Sequence, residues 1–305
     1  MIQSDFAWMN GKLIPFAQAT THTSAFTLHY GIAAFEGIRC YKRKDGRSAV
    51  FRLREHIERL FGSMKICGNQ IPYSVEQIST GCLEVLRANK LPEAYIRPLV
   101  YQGAGALGLG AKDPPVEAVV IAFPWGAYLG DEAITKGIRV QVSSYIRGHV
   151  NNSMSKAKLS GQYVNSVLAK REVQRLGFDE AIMLDANGRV CEGTGENIFA
   201  VHKGRLYTPP LEMPILEGIT RDAVIILAKE AGFEVVEQSF TRDFLYGVSE
   251  IFFTGTACEV TPVREVDGRT IGSGQPGPVT RKLQAAFTAV VSGPGESHPE
   301  WLAYV

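Results

Sequence analysis

The 305-residue chain has only five cysteines, Cys40, Cys67, Cys82, Cys191 and Cys258, widely spaced and without a C-x-x-C pair. An odd, scattered set indicates neither a disulfide framework nor a zinc site, so no metal is expected and a reducing cytoplasm fits best. Long apolar runs are missing too. The longest, 118–123, is far too short to span a bilayer. The opening MIQSDFAWMNGKLIPF has no basic stretch followed by an apolar one, as a secretory signal requires. Nor does charge of one sign dominate. Lys and Arg number 32 against 31 Asp and Glu, which leaves no overall field to attract nucleic acid or an anionic membrane. These absences leave the expectation of a soluble intracellular protein whose partner is small and recognised in a pocket.

What is present is ordinary globular material, 45% hydrophobic and 21% charged, in a chain long enough for one large domain or two medium ones. Asn10-Gly11 predicts a tight hairpin, because those residue types accept the positive φ angles of its turn. Ile57, Leu60, Phe61 and Met64 recur at helical spacing and leave Arg59 off the centre of the apolar face. Ser74 and Gln77 read as a capping box that opens a helix to about residue 89. Strands are expected over 94–102, 117–123, 138–145, 180–184, 198–202, 250–254 and 259–266. Helices are expected over 161–176, 220–231 and 278–291, the first two closing on Gly177 and Gly232. The segment 124–130, PWGAYLG, breaks both periodicities. A small α+β domain over 1–124, a connecting loop over 125–133 and a larger α+β domain over 134–305 follow. Strands and helices mix without strict alternation, which argues for α+β rather than a doubly wound sheet.

Several stretches could carry chemistry. The run 103–108 matches G-x-G-x-x-G, but Pro114 and Pro115 forbid the helix that a dinucleotide site needs there. Gly218-Ile219-Thr220 opens a helix whose first N–H groups lack internal acceptors, and Thr220 suits a cap; such an end binds anions, although simple capping accounts for the pattern as well. Gly255-Thr256-Ala257 offers further N–H groups at the end of an apolar strand. Glu192 stands between apolar strand residues and a flexible turn; it is either solvated at the sheet edge or buried, and a buried carboxylate needs a partner. In 154–165, MSKAKLSGQYVN, two lysines lie two residues apart. Solvation is the default for both, and a Schiff-base amine is the alternative for either. Local pattern does not choose between Lys156 and Lys158.

Taken in order, seven motifs resemble the branched-chain amino acid aminotransferases, members of the fold-type-IV pyridoxal phosphate enzymes. They are LHYG (28–31), FEGIRCY (35–41), YIRP (95–98), FPWGAYLG (123–130), EGTGEN (192–197), GITRD (218–222) and GTA (255–257), and they span essentially the whole chain. The resemblance implies a two-domain α+β architecture and pyridoxal 5′-phosphate as cofactor. Lys158 becomes the covalent and catalytic lysine, Tyr163 the partner of the cofactor's phenolic oxygen, and Glu192 the carboxylate facing its pyridine nitrogen. Arg59 and the amides of Ile219, Thr220 and Thr256 would hold the phosphate, with Leu216, Gly218 and Gly255 alongside. Tyr30, Phe35, Gly37, Arg39, Tyr95, Arg97, Trp125, Tyr128, Thr256 and Ala257 would line the substrate pocket. Aromatic walls there suit a branched side chain, while Arg97 and Tyr95 reach the distal carboxylate of glutamate.

The implied reaction is ping-pong transamination between leucine, isoleucine or valine and 2-oxoglutarate, in a homodimer or assembly of dimers. Rival readings are a D-amino acid aminotransferase or an aminodeoxychorismate lyase of the same fold, a nicotinamide-dependent oxidoreductase using 103–108, and a non-catalytic binding protein. Spacing to Tyr163 and Glu192, set against the family, selects Lys158 and returns Lys156 to the default of a solvated lysine, so that Lys156→Ala is expected to leave activity largely intact.

Overall fold

Asn10 and Gly11 take left-handed conformations, with φ of 50° and 86°, and join β1 (Phe6–Met9) to β2 (Lys12–Pro15). The computed structural model describes residues 4–112, 114–126, 129–295 and 297–305. Its chain divides into two units: Met1–Trp125 with Ala157–Tyr163 and Val290–Val305, and Gly126–Lys156 with Val164–Ala289. The expected boundaries put both 157–163 and 290–305 in the second domain. Periodicity does not reveal their return to the first unit, because long-range pairing secures them there. Leu159 bridges Ala34, and the strand Leu302–Tyr304 pairs with residues 49–51.

The first unit continues with β3 (Ala33–Phe35), β4 (Ile38–Lys42), β5 (Ser48–Phe51), β6 (Ala94–Gln102) and β7 (Val116–Phe123). From one edge, the order is Leu302–Tyr304, β5, β4, β6, β7, β1, β2, with β3 also on β6. Helices α1 (Phe26–Tyr30), α2 (Leu53–Ile66) and α3 (Val75–Ala88) complete the unit. The expected capping box is present: Gln77 N–H donates to Ser74 Oγ and Ser74 N–H to Gln77 Oε1, satisfying two N–H groups that the helix itself cannot. Ile57, Leu60 and Met64 of α2 and Ile78, Cys82 and Val85 of α3 pack with Ile38, Cys40, Ile96, Val100 and Val120 of the sheet. Each such side chain taken fully out of water contributes about 2 kcal/mol. Strand side chains alternate between faces, so Arg39, Tyr95 and Arg97, interleaved with Ile38, Cys40 and Ile96, point to the other face.

The second unit holds β8 (Ile138–Val142), β9 (Glu180–Leu184), β10 (Val190–Glu192), β11 (Asn197–His202), β12 (Arg205–Thr208), β13 (Val235–Glu237), β14 (Glu250–Gly255), β15 (Glu259–Val266) and β16 (Arg269–Thr270). Pairing runs β10-β9-β8-β15-β14-β11-β12-β13, and β10 pairs again with β11, so the first six close a circuit. Ile182, Ile198, Ile251, Phe253 and Val263 fill its core. β8 stops three residues short of the expected end, where Ser143 and Ser144 turn their hydroxyls onto the Glu172 carboxylate. Helices α4 (Asp131–Lys136), α5 (Tyr163–Arg175), α6 (Ile219–Glu230), α7 (Arg242–Tyr246) and α8 (Pro278–Ser292) follow in order, and Gly177 and Gly232 take positive φ just beyond α5 and α6. Residues 103–112 open no helix. Among the described residues, no helix is long and apolar enough to cross a membrane.

Candidate active site

In the first unit, the returning segment 157–163 presents Lys158. The segment is held by its backbone: Phe35 N–H donates to Lys158 O at 3.1 Å, Lys158 N–H to Ser63 Oγ at 2.9 Å, and Gly161 N–H to Gly31 O at 3.2 Å. Gly31 and Gly161 pass so closely that a Cβ on Gly161 would stand 3.1 Å from the Gly31 carbonyl oxygen. Lys158 Nζ donates to Tyr163 Oη at 2.5 Å and lies 5.0 Å from the ring centroids of both Phe35 and Tyr163. Those rings meet edge to face at 4.8 Å. Among the described residues, no carboxylate comes within ion-pair distance of this amine.

On the same sheet face, the Arg97 guanidinium lies 4.6 Å from the Phe35 centroid and donates to Tyr95 Oη at 3.2 Å. Arg97 Nε is buried without a partner among the described residues. Tyr95 packs against Trp125 at 4.4 Å, and its hydroxyl occupies the space of a Gly37 side chain, since a Cβ there would lie 1.9 Å away. Arg39 lies over Tyr41 and pairs with Glu93 at 3.7 Å. Tyr30 is exposed and its hydroxyl accepts from Gly108 N–H at 2.9 Å. Tyr128 lies outside the described residues.

Arg59 holds a buried carboxylate. Its Nε and Nη2 each bond Glu36 at 2.8 Å, and His56 Nδ1 adds a third bond to Glu36 at 2.7 Å. Neither Glu36 nor His56 was singled out by the sequence, and both are fully buried. Burial pushes the Glu36 carboxyl up, but the charge of Arg59 and the hydrogen bonds of Arg59 and His56 outweigh it and leave the pKa at about 2. Burial draws His56 down, so its neutral imidazole donates through Nδ1. Because the folded pKa of Glu36 lies below its ordinary value of 4.5, its contribution is complete above that pH and is lost as pH falls towards 2. Urea denaturation across this window is expected to show a loss of about 3 kcal/mol beyond that of Glu36→Gln. Parallel curves for the two proteins would contradict this pairing.

In the second unit, Glu192 ends β10, almost fully buried. Its Oε1 pairs with Arg147 Nη2 at 2.9 Å, and its Oε2 accepts from Asn197 Nδ2 and from Leu216 N–H, both at 3.1 Å. Asn197 stands opposite Glu192 in the β10–β11 register and also donates to Leu216 O at 3.0 Å. Arg147 and Asn197 are partners that the sequence did not reveal. Glu196, in the same turn, is raised by burial and by the charge of Glu180.

Helix α6 starts beside this carboxylate. The expected cap, Thr220, lies inside the helix; Gly218 is the N-cap, with no side-chain cap bond. A side chain is impossible at Gly218, where a Cβ would lie 1.9 Å from Asn197 Oδ1. The first backbone bond of the helix runs from Asp222 N–H to Gly218 O, so the N–H groups of Ile219, Thr220 and Arg221 have no acceptor within the helix. Gly255 closes β14, followed by Thr256 and Ala257, and next to it Thr254 Oγ1 is buried without a partner among the described residues.

The structure also separates the two lysines. Lys156 is not solvated as expected: its amine is half-buried and donates to the carbonyls of Leu211, Met213 and Ile215. All three of its N–H donors are thus committed, whereas Lys158 has one phenol and an aromatic wall.

The protein-family model for class IV amino-transferases matches residues 33–266. The chain belongs to this family. It is 50% identical over 298 residues to a branched-chain-amino-acid aminotransferase of Pseudomonas aeruginosa, covering 98% of this chain and 96% of that protein. The Escherichia coli K12 enzyme of the same name is 45% identical over 306 residues, covering 99% and 98%. The crystal structure of the Escherichia coli branched-chain amino acid aminotransferase superposes with a TM-score of 0.96 at 44% identity, covering 98% and 99%. That of the Thermobaculum terrenum branched-chain amino acid aminotransferase in its PLP-bound holo form gives 0.91 at 34%, covering 100% and 99%. The α+β, fold-type-IV architecture of the resemblance is therefore that of this chain.

Proposed function

We propose that this chain transfers amino groups between branched-chain L-amino acids and 2-oxoglutarate with pyridoxal 5′-phosphate. The observation that carries the reading is Lys158: a primary amine with no carboxylate partner among the described residues, walled by Phe35 and Tyr163. The residues fit the cofactor. Lys158 suits an aldehyde and the buried Glu192 a ring nitrogen. The amides of Ile219 and Thr220, which have no acceptor within the helix, suit a phosphate with Thr256 and Arg59. Tyr163 would face the phenolic oxygen, with Leu216, Gly218 and Gly255 lining the ring and phosphate. When bound, the cofactor supplies a carbonyl for the amino group and a ring that withdraws electrons from the substrate's α-carbon.

The chain's own groups do the rest. Lys158 Nζ takes the proton from the α-carbon and returns it. Tyr163 orients that amine through its 2.5 Å bond. Arg147 pairs with the buried Glu192 carboxylate that would face the ring nitrogen. Phe35, Tyr95, Trp125, Tyr30 and Tyr128 would take the branched side chain. Arg97, Tyr95 and Arg39 would take the distal carboxylate of 2-oxoglutarate, and the amides of Thr256 and Ala257 the α-carboxylate, with Gly37 leaving room. The orphaned Nε of Arg97 supports a site for a further acceptor. Because both substrates use one site in turn, the kinetics are ping-pong.

With the purified protein and pyridoxal phosphate, L-leucine, L-isoleucine and L-valine are expected to react with 2-oxoglutarate, and borohydride to abolish the visible absorption. Turnover of D-alanine or aminodeoxychorismate without L-leucine would overturn the reading. A homodimer in the cytoplasm is part of the proposal. Val164, Val167 and Leu168, spaced along one side of α5, are exposed together with Ile146, whose carbonyl accepts from Asn165, and such an apolar patch suits a second copy. All five cysteines are free, as a reducing compartment keeps them. A monomer's mass by sedimentation equilibrium would refute the dimer.

A further inference from the structure

Between β12 and α6 the chain runs irregularly through 209–218, where Met213 N–H donates to Pro210 O, Ile215 N–H to Met213 O and Asp222 N–H to Gly218 O. Cations bond several of its carbonyls as well. Arg221 Nη2 donates to Pro209 O at 2.9 Å, Arg147 Nε to Pro214 O at 3.4 Å, and Lys156 Nζ to Leu211 O, to Met213 O at 3.1 Å and to Ile215 O at 3.0 Å. An ammonium has three donors, and three alternate carbonyls use them all. The next residue is Leu216, whose N–H meets Glu192 Oε2 and whose carbonyl accepts from Asn197, the other donor to the same oxygen. The geometry points to Lys156 as a positioning residue: by gathering the carbonyls of 211, 213 and 215, its ammonium sets Leu216 so that the N–H of that residue holds the Glu192 carboxylate. The inference rests on the reading that Glu192 serves the cofactor ring.

Charge matters here as well as reach. Hydrogen bonds from an ammonium are about twice as strong as neutral ones, and an apolar side chain would take this donor from the carbonyl of the buried Ile215. Burial works against the charged amine, while the Glu217 and Glu192 carboxylates favour it.

Lys156→Met keeps length and removes the charge. Lys156→Cys followed by 2-bromoethylamine rebuilds a primary ammonium of nearly the same reach, with the identically treated unaltered protein as control for its own thiols. In the cofactor-free proteins, Lys156→Met is expected to speed amide hydrogen exchange at Leu216 by about tenfold, the loss of one charge-assisted anchor. In the loaded proteins it is expected to weaken pyridoxal phosphate binding about tenfold and to lower kcat with little change in KM. Alkylation of the cysteine variant should restore all three. Unchanged exchange at Leu216 overturns the inference. So does faster exchange with binding and kcat within about twofold of the unaltered protein, since Lys156 would then only staple the loop. Failure of alkylation to restore function overturns it too. If the unaltered protein does not bind pyridoxal phosphate, the proposed function fails, and the exchange measurement still reports on Lys156.

Discussion

Lys158→Ala is expected to abolish transamination, lowering the rate of each half-reaction by at least about 10^4-fold, because in the proposed reaction one amine is both the covalent attachment point and the acceptor of the α-proton. The fold should hardly notice. Among the described residues the side chain makes one hydrogen bond, to Tyr163 Oη, while the segment is secured by the backbone of Lys158, Leu159 and Gly161 and by burial of Ala157 and Leu159. The melting temperature is therefore expected to stay within a few degrees of that of the unaltered protein, on the order of what a surface change produces. Rapid mixing with L-leucine reads the half-reaction, and peptide mapping after borohydride reads the attachment. A label on Lys156, or retained turnover in Lys158→Ala, would reverse the assignment of the two lysines.

The second large effect belongs to Glu192. Glu192→Gln keeps an oxygen for Leu216 N–H and Asn197 but removes the negative charge. The expected result is a fall in kcat of about a hundredfold, typical of removing one group aligned to developing charge, with KM little changed. Glu192→Ala should add a second penalty. It leaves Arg147, whose side chain is 12% exposed, without its anion, and breaking a partly buried pair from one side costs about 3 kcal/mol. Urea denaturation separates the two variants: the alanine protein should be clearly less stable than the glutamine protein. Equal stability would mean that Arg147 has another anion to turn to, and an undiminished kcat in Glu192→Gln would remove Glu192 from the chemistry.

Short-range chemistry made much of the fold legible. The Asn10-Gly11 turn, the Ser74–Gln77 box and the glycines after α5 and α6 each depend on residues within a few positions of one another, and each appears where expected. Resemblance to the family, rather than local pattern, drew attention to Lys158 and Glu192. What escaped has distant or backbone partners. Glu36 meets Arg59 and His56 from 23 and 20 residues away. A signal was available, since His56 lies on the same stripe of α2 as Leu53, Ile57 and Leu60, and an imidazole on an apolar stripe calls for a buried partner. No comparable signal marked Lys156, whose acceptors are carbonyls between 55 and 59 residues on, in a segment without side-chain pattern. Thr220 misled for a local reason: Gly218, where Asn197 leaves no room for a side chain, is the N-cap, two residues before the one that the capping chemistry of threonine suggests.

The edge strand Leu302–Tyr304 on β5 and the return of 157–163 against β3 have a bearing on how the chain is made. A ribosome delivers residues in order, and domains ordinarily fold as they emerge. Here the N-terminal sheet can pair its early strands during synthesis, yet one flank of β5 stays open until almost the whole chain is out. The nascent protein therefore carries an unpaired, apolar sheet edge for most of its translation, the period in which a holdase chaperone has most to offer.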